Sequence, residues 1–482
     1  MSVFEAISET VLSGIDFVNT YVWYIAFVFL VGIGLYFTIR SRGVQINNLG
    51  EACRVAFTGI RAQKGKQTIS SFQAFCVSMG ARIGVGNIVG VALAIVMGGP
   101  GAVFWMWIFA LIGAATSFIE TTVGQIYKEK KSDGQFHGGP AFYIRNGLGK
   151  PKFAAFIAIL IIITYGMMFI GVQANSATGA LNAAFGTEPI VFAVITTILA
   201  AIIIFGGITR VAKVSTWMVP VMAILWLLLC LVIVLVNFTQ VSLVIQTIFS
   251  YAFGVQAFVG GGLGAAIMWG LKRGVFSNEA GIGSIPNVSS SADVKHPVKQ
   301  GLMQSVGVLI DTLVVCSATA FVVIIYTNNF YPGYDIPVSP VVLVGDALSS
   351  TFLGSAAPFI LSAFLFVFAF SSLISYYSMS ETNVKFITER KEAIIVLRFV
   401  IVAMVFIASM MELILAWALA DIFQALMGIF NMGVLFFLSK HALTAFKDYL
   451  DQKADGVEEP VFNASVLSDK TGVTCWSEEQ KK

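Results

Sequence analysis

The sequence predicts an all-α polytopic membrane protein of about eleven transmembrane helices, and three observations carry that expectation. Of its 482 residues, 57% are hydrophobic and 11% are charged, whereas a soluble domain carries about 25% charged residues. Segments 24–39, 153–163, 221–236 and 359–374 hold no charged residue, and a helix needs roughly 20 mainly apolar residues to cross the hydrocarbon layer. Basic residues also fall in alternate loops and avoid the loops between.

Taken in order, the apolar segments are 20–39, 70–97, 102–126, 154–184, 188–206, 213–237, 250–271, 300–327, 357–380, 392–410 and 412–438. Lys and Arg follow the first, third, fifth, seventh, ninth and eleventh, from Arg40 and Arg42 to Lys440 and Lys447. The gaps after the even-numbered segments contain neither residue. The positive-inside rule therefore expects the N-terminus outside and the C-terminus in the cytoplasm. The N-terminal stretch lacks a basic n-region, so it does not read as a cleaved signal peptide. Phe4, Ile7, Val11, Leu12 and Ile15 recur at near-helical spacing, which fits either a short interfacial helix or a frayed end. Residues from about 450 onward are polar and read as a flexible tail.

The net charge of +3 is spread over separate loops and predicts no nucleic-acid partner. The five cysteines, at 53, 76, 230, 316 and 475, form no CxxC pair and read as small buried side chains, so no metal beyond a transported cation is expected. His137, His296 and His441 fall in or beside basic loops and are poor candidates for a proton relay.

Two segments carry glycine clusters where a plain anchor would carry leucine. The second contains Gly80, Gly84, Gly86 and Gly90; the seventh contains Gly254, Gly260, Gly261, Gly262 and Gly264. Small residues also serve close helix packing, which suits Gly90 and Gly264. The strings GVGN and VGGGLG exceed that need and point to interrupted helices. The two interruptions open two blocks of five segments, so the chain divides into 1–69 (interfacial segment, first helix and linker), 70–240, 241–440 and a tail at 441–482. Five crossings per block require the second block to be inverted relative to the first. Unwound backbone frees N–H groups that suit a carboxylate, and carbonyls that suit an ammonium group or a hard cation.

The strings GVGNIVGVALAI (84–95), GGPGAVFWMW (98–107), GGPAFYI (138–144), KRGVFSNEAGIGS (272–284), HPVKQGL (296–302), IDTLVVCSATA (310–320) and FAFSSLISYY (368–377) resemble the alanine or glycine:cation symporter family, also called sodium:alanine symporters. The resemblance spans most of the chain. It implies the five-plus-five inverted-repeat fold of neurotransmitter:sodium symporters plus one N-terminal helix, in a bacterial or archaeal inner membrane. It implies uptake of a small neutral amino acid, alanine, glycine or similar, coupled to sodium or to protons, with no resident cofactor. Gly84, Gly86 and Asn87 match the family's GTGN pattern, while Val85 replaces its threonine and puts substrate preference or coupling in question. Gln73 resembles a position proposed to reach substrate. With Phe258 and Gly260 of the second glycine cluster as pocket wall, and Tyr376 where relatives carry tryptophan, these form the expected substrate set. Ser371 and Ser372 match a Ser-Thr pair and, with Gly80, Ile83 and Asn87, form the expected sodium set.

Arg82 lies within a membrane segment and needs a partner or water. Glu120, Asp311 and Asp421 are the candidates, for either a gate or a structural ion pair. Asp311 with Thr312 could line the ion path or bond within its helix. Asn278 and Glu279 read either as an inner gate with Lys272 and Arg273 or as a solvated loop. A channel would want a repeated filter, and an intramembrane enzyme would want clusters such as HExxH or GxSxG. No GxxxxGK[ST] phosphate loop occurs. Secondary symport remains the leading expectation, and an ion channel the weaker one.

Overall fold

The computed structural model describes residues 3–58, 68–253, 262–411 and 413–476. Among the described residues the fold is all-α apart from one two-residue hairpin pairing, Glu129–Lys130 with Phe136–His137, and an isolated bridge between Ile69 and Ala292. Seven helical segments are long and apolar enough to cross a membrane: Gly14–Arg40, Gly101–Ile126, Pro151–Phe185, Gly207–Val236, Pro297–Phe330, Gly354–Ile387 and Ala416–Ala454. Pro189–Ile204 and Lys391–Ala408 supply two more segments. The other two expected crossings are interrupted. Trp217, Ile39, Val236 and Phe437 point outward fully exposed, which is the surface a lipid-facing bundle presents.

Each interruption follows from its residues. The second span begins where Ser70 and Gln73 cap each other, Ser70 Oγ accepting the Gln73 N–H at 3.2 Å and Gln73 Oε1 accepting the Ser70 N–H at 3.0 Å. It runs as Ser71–Arg82, then leaves helical geometry at Ile83 and Gly84, makes one tight turn over Val85–Asn87 and resumes as Val89–Gly98. Gly99, at a φ of +70°, turns the chain into the third span.

The expected seventh-span break at 259–264 is described only from Gly262 onward. The span runs helically over Gly262–Asn278, so Gly262 and Gly264 are helical. Residues 254–261, with Gly254, Phe258, Gly260 and Gly261, lie outside the described residues. A break follows at 279–285, and helix returns briefly at Pro286–Ser289. Glu279, Gly281 and Gly283 all take left-handed backbone there, with φ of +55°, +82° and +77°. Glycine adopts such angles freely and glutamate does not.

The third span packs on the eighth, the fourth on the ninth, the fifth on the tenth, and the broken second on the broken seventh. Contact between span n and span n+5 is what a two-fold axis between two five-span halves produces. The first span lies outside this scheme against the eleventh.

The expected flexible tail is largely docked. The eleventh span continues as helix to Ala454, and the chain then folds back. Phe462, Leu467 and Trp476 are buried. Trp476 Nε1 donates to the Gln125 carbonyl at 3.0 Å, and the Phe462 N–H donates to the Lys295 carbonyl at 3.0 Å. The Lys128 ammonium sits 4.9 Å from the Trp476 ring centroid. Composition hid this because a few aromatic anchors suffice to pin a polar segment.

Candidate functional site: two facing helix breaks

At the first break, the orphaned carbonyls of helix Ser71–Arg82 meet hydroxyls of the ninth span. Ser372 Oγ lies 2.9 Å from the Gly80 carbonyl, and Ser371 Oγ lies 3.2 Å from Gly80 O and 3.3 Å from Ile83 O. Tyr376 Oη donates to Ala81 O at 3.1 Å. A hydroxyl can also turn its proton away and offer a lone pair. Two carbonyls and two hydroxyls then make an all-oxygen donor set, which suits a hard cation such as sodium. An ideal Cβ on Gly84 would lie 2.3 Å from Ser372 Oγ and 3.1 Å from Gln173 Oε1. Only glycine fits between those two side chains.

On the other side of the break the freed groups are donors. The Gly84 N–H reaches Asn87 Oδ1 at 2.9 Å and the Val85 N–H reaches Gln173 Oε1 at 3.1 Å. The break therefore offers carbonyls and amide N–H groups a few residues apart, the two polarities a zwitterion requires. Aromatic rings line the same region. Phe169 stacks on Phe276 with centroids 5.0 Å apart and meets Tyr376 edge-on at 5.5 Å, and Phe276 lies 4.6 Å from Trp417. A Cβ on Gly86 would touch Phe276 Cδ1 at 3.0 Å.

The second break is tied to the first through Arg82. Its Nε donates to the Asn278 carbonyl at 2.8 Å, Nη1 to Gln304 Oε1 at 2.8 Å and Nη2 to Ser117 Oγ at 3.0 Å. The last helical residue before the first break is thus bonded to the last helical residue before the second. Glu120 holds the other end, accepting from the Gly281 N–H at 3.2 Å and from Asn431 Nδ2 at 3.1 Å. Asp311 accepts from Asn87 Nδ2 at 2.6 Å, Ser277 Oγ at 2.8 Å and Thr312 Oγ1 at 3.0 Å. It lies on a widened π-helical turn, Ile310–Cys316, and Tyr165 and Phe169 lie on another, Thr164–Phe169. Such turns recur at functional sites.

The expected residues divide accordingly. Gly80, Ile83, Ser371 and Ser372 come together as one oxygen cluster. Gly84, Val85, Gly86 and Tyr376 line the break. Asn87 turns away from the serines toward Asp311. Gln73 caps its own helix eleven residues before Gly84, a rise of about 16 Å at 1.5 Å per residue, and the structure does not bring it to the break. Phe258 and Gly260 lie outside the described residues.

Asn278 and Glu279 are buried at the second break and so form no solvated loop, and among the described residues neither pairs with Lys272 or Arg273 as the gate reading expected. Lys272 and Arg273 belong within the seventh span. Arg273 pairs with buried Asp421, which is therefore not the partner of Arg82. Lys272 lies 5.6 Å from the ring of Trp23 on the first span. Sequence reasoning missed Gln173, Phe169, Phe276 and the break at 279–285. The alternating glycines of NEAGIG, flanked by Asn278 and Ser284, were the available signal for the last.

The profile of the sodium:alanine symporter family matches residues 8–464. A Bacillus subtilis protein named as a probable sodium/glutamine symporter is 44% identical over 93% of this chain and 92% of its own length. A Methanococcus maripaludis sodium/alanine symporter is 35% identical over 89% and 95%. A Bacillus sodium/proton-dependent alanine carrier (strain PS3) is 35% identical over 86% and 96%. Among solved structures, a manganese transporter of Eremococcus coleocola matches with a TM-score of 0.51 at 12% identity, over 84% of this chain and 92% of that one, a likeness of fold alone.

Proposed function

Because the chain belongs to the sodium:alanine symporter family, we propose that it is a secondary symporter that imports a small neutral amino acid with sodium by alternating access around the two breaks. It is a transporter and not an enzyme, as its family and relatives are. The observation that carries the finer reading is the split polarity of the first break. The oxygen cluster of Gly80, Ile83, Ser371 and Ser372 is the sodium site. The Val85 N–H and Gln173 receive the substrate carboxylate, and the carbonyl side, with Tyr376, receives its ammonium group. Alternating basic loops place the N-terminus outside and the C-terminus in the cytoplasm.

The close approach of Gly86 to Phe276 leaves little room beside the break and favours alanine or glycine. A relative is named for glutamine, so glutamine is the necessary comparison. Proton coupling is the second reading for the driving ion, since another relative is named for both ions. Uptake of radiolabelled alanine, glycine and glutamine into proteoliposomes, with and without an inward sodium gradient, tests the proposal. Accumulation of alanine or glycine above the external concentration, driven by sodium, is the expected result. Passive equilibration alone would mean a channel, and accumulation of glutamine alone would overturn the substrate assignment.

A further inference from the structure

One carboxylate at the second break is used by nothing described so far. Glu279 is completely buried, and among the described residues no donor is in hydrogen-bond geometry with either of its carboxylate oxygens. Its backbone is held at a φ of +55°, an angle glutamate adopts at a cost. The hydroxyls of Ser284 and Tyr376 face it. Tyr165 faces it from the fourth span, and its buried hydroxyl lies beside Ser284 with no described residue in hydrogen-bond geometry. Through Tyr376, which donates to Ala81 O, Glu279 is one side chain away from the first break.

The charged groups around it do not balance. Arg82 on the second span, Asp311 on the eighth and Glu120 on the third act on one another or on Glu279, and all four are buried. Arg273 and Asp421 neutralise each other separately. One guanidinium against three carboxylates leaves two negative charges uncompensated when all are ionised, and buried charge without a counter-charge is strongly disfavoured. Asp311 accepts three side-chain hydrogen bonds and Glu120 accepts a backbone and an amide N–H. Glu279 accepts no such hydrogen bond from any of the described residues.

We propose that Glu279 is a proton-binding site of the transport cycle, taking up one proton as substrate and sodium enter and releasing it to water on the opposite side. One sodium ion at the Gly80–Ser372 cluster and one proton on Glu279 bring the buried sum to zero. A proton suits the site, because the acid form of Glu279 brings its own donor to the facing hydroxyls. The proton adds to a carboxylate oxygen and leaves from it, and no other bond changes. This inference rests on the symport reading above and deepens it.

The test uses proteoliposomes holding equal sodium inside and out, with the membrane potential clamped by potassium and valinomycin. An inward gradient of one pH unit is expected to accumulate labelled alanine up to about tenfold, the limit for one proton per substrate. Added alanine is expected to alkalinise the external medium, read with a pH-sensitive dye. If sodium gradients drive uptake but pH gradients do not, and alanine moves no protons, Glu279 carries none and the inference fails while the symport reading stands. If neither gradient drives uptake, the symport reading itself fails.

Glu279→Gln is expected to lower the number of protons moved per alanine to near zero, and an unchanged ratio would assign the proton to another residue. Should that variant not reach the membrane, a lipophilic carbodiimide decides the matter in the native protein, since it reacts with protonated carboxyls. Modification of Glu279 at neutral pH, found by peptide mass, is expected, and its absence overturns the assignment.

Discussion

Gly84→Ala is the smallest change that separates a sodium site from a merely structural contact. The backbone at Gly84 is extended, with φ −135° and ψ −158°, so alanine meets no conformational penalty there and any effect is steric. The new methyl would lie 2.3 Å from Ser372 Oγ, more than 1 Å inside ordinary contact at about 3.4–4 Å. Ser372 must rotate away and leave the Gly80 carbonyl, which it now meets at 2.9 Å. Losing one oxygen from a bound cation costs about 1.5–3 kcal/mol, as a hydrogen bond to a charged group does. At 1.4 kcal/mol per decade, half-saturating sodium rises about 10- to 100-fold.

The assay is initial-rate alanine uptake against external sodium in proteoliposomes, with size-exclusion profiles confirming folded protein. Ser372→Ala is expected to shift the same curve by a similar amount. The double variant Gly84→Ala/Ser372→Ala is expected to be no worse than either alone, since both remove the same ligand. Losses that add, or a sodium curve unmoved by either change, would refute the steric argument and place the ion elsewhere.

Gly86→Leu is expected to abolish uptake in folded, inserted protein, because even a Cβ there touches Phe276 at 3.0 Å; normal uptake would remove this residue from the pocket. Arg273→Leu is expected to cost about 3–5 kcal/mol by leaving Asp421 buried without its partner, whereas Arg273→Leu/Asp421→Leu recovers most of that, as read from thermal unfolding in detergent. The docked tail is expected to loosen in acid. The His296 ring lies 5.2 Å from that of Phe462 in the tail, and burial holds its imidazole below its ordinary value despite Asp448 at 3.1 Å, so the undocked state binds more protons. Docking is weakened as the pH falls through about 6.5, and limited trypsin cleavage near Lys470 should rise there; cleavage independent of pH would remove His296 from the latch.

The membrane class, the order of the spans and the first break were legible because each rests on local composition. Uncharged runs of sufficient length, glycines within one run and the placement of lysine and arginine need no knowledge of neighbours. The serines of the ninth span were legible through their resemblance to a family pattern, and the structure brings them to Gly80 and Ile83.

What the sequence alone could not give was everything fixed by facing another element. The break at 279–285 was missed because backbone angles, and not glycine number, mark it. Lys272 and Arg273 read as loop charges because two adjacent cations usually seek water; inside the bundle, Asp421 and the rings of Trp23, Trp269 and Trp417 compensate them. Asn87 was grouped with the serines in the expected sodium set through its match to a family pattern, and in the structure its amide donates to Asp311, 224 residues away. Burial of charge is a property of the assembled bundle. A linear pattern can mark Arg82 as needing partners, but only the packing decides that neutral oxygens bind it while three carboxylates share its field.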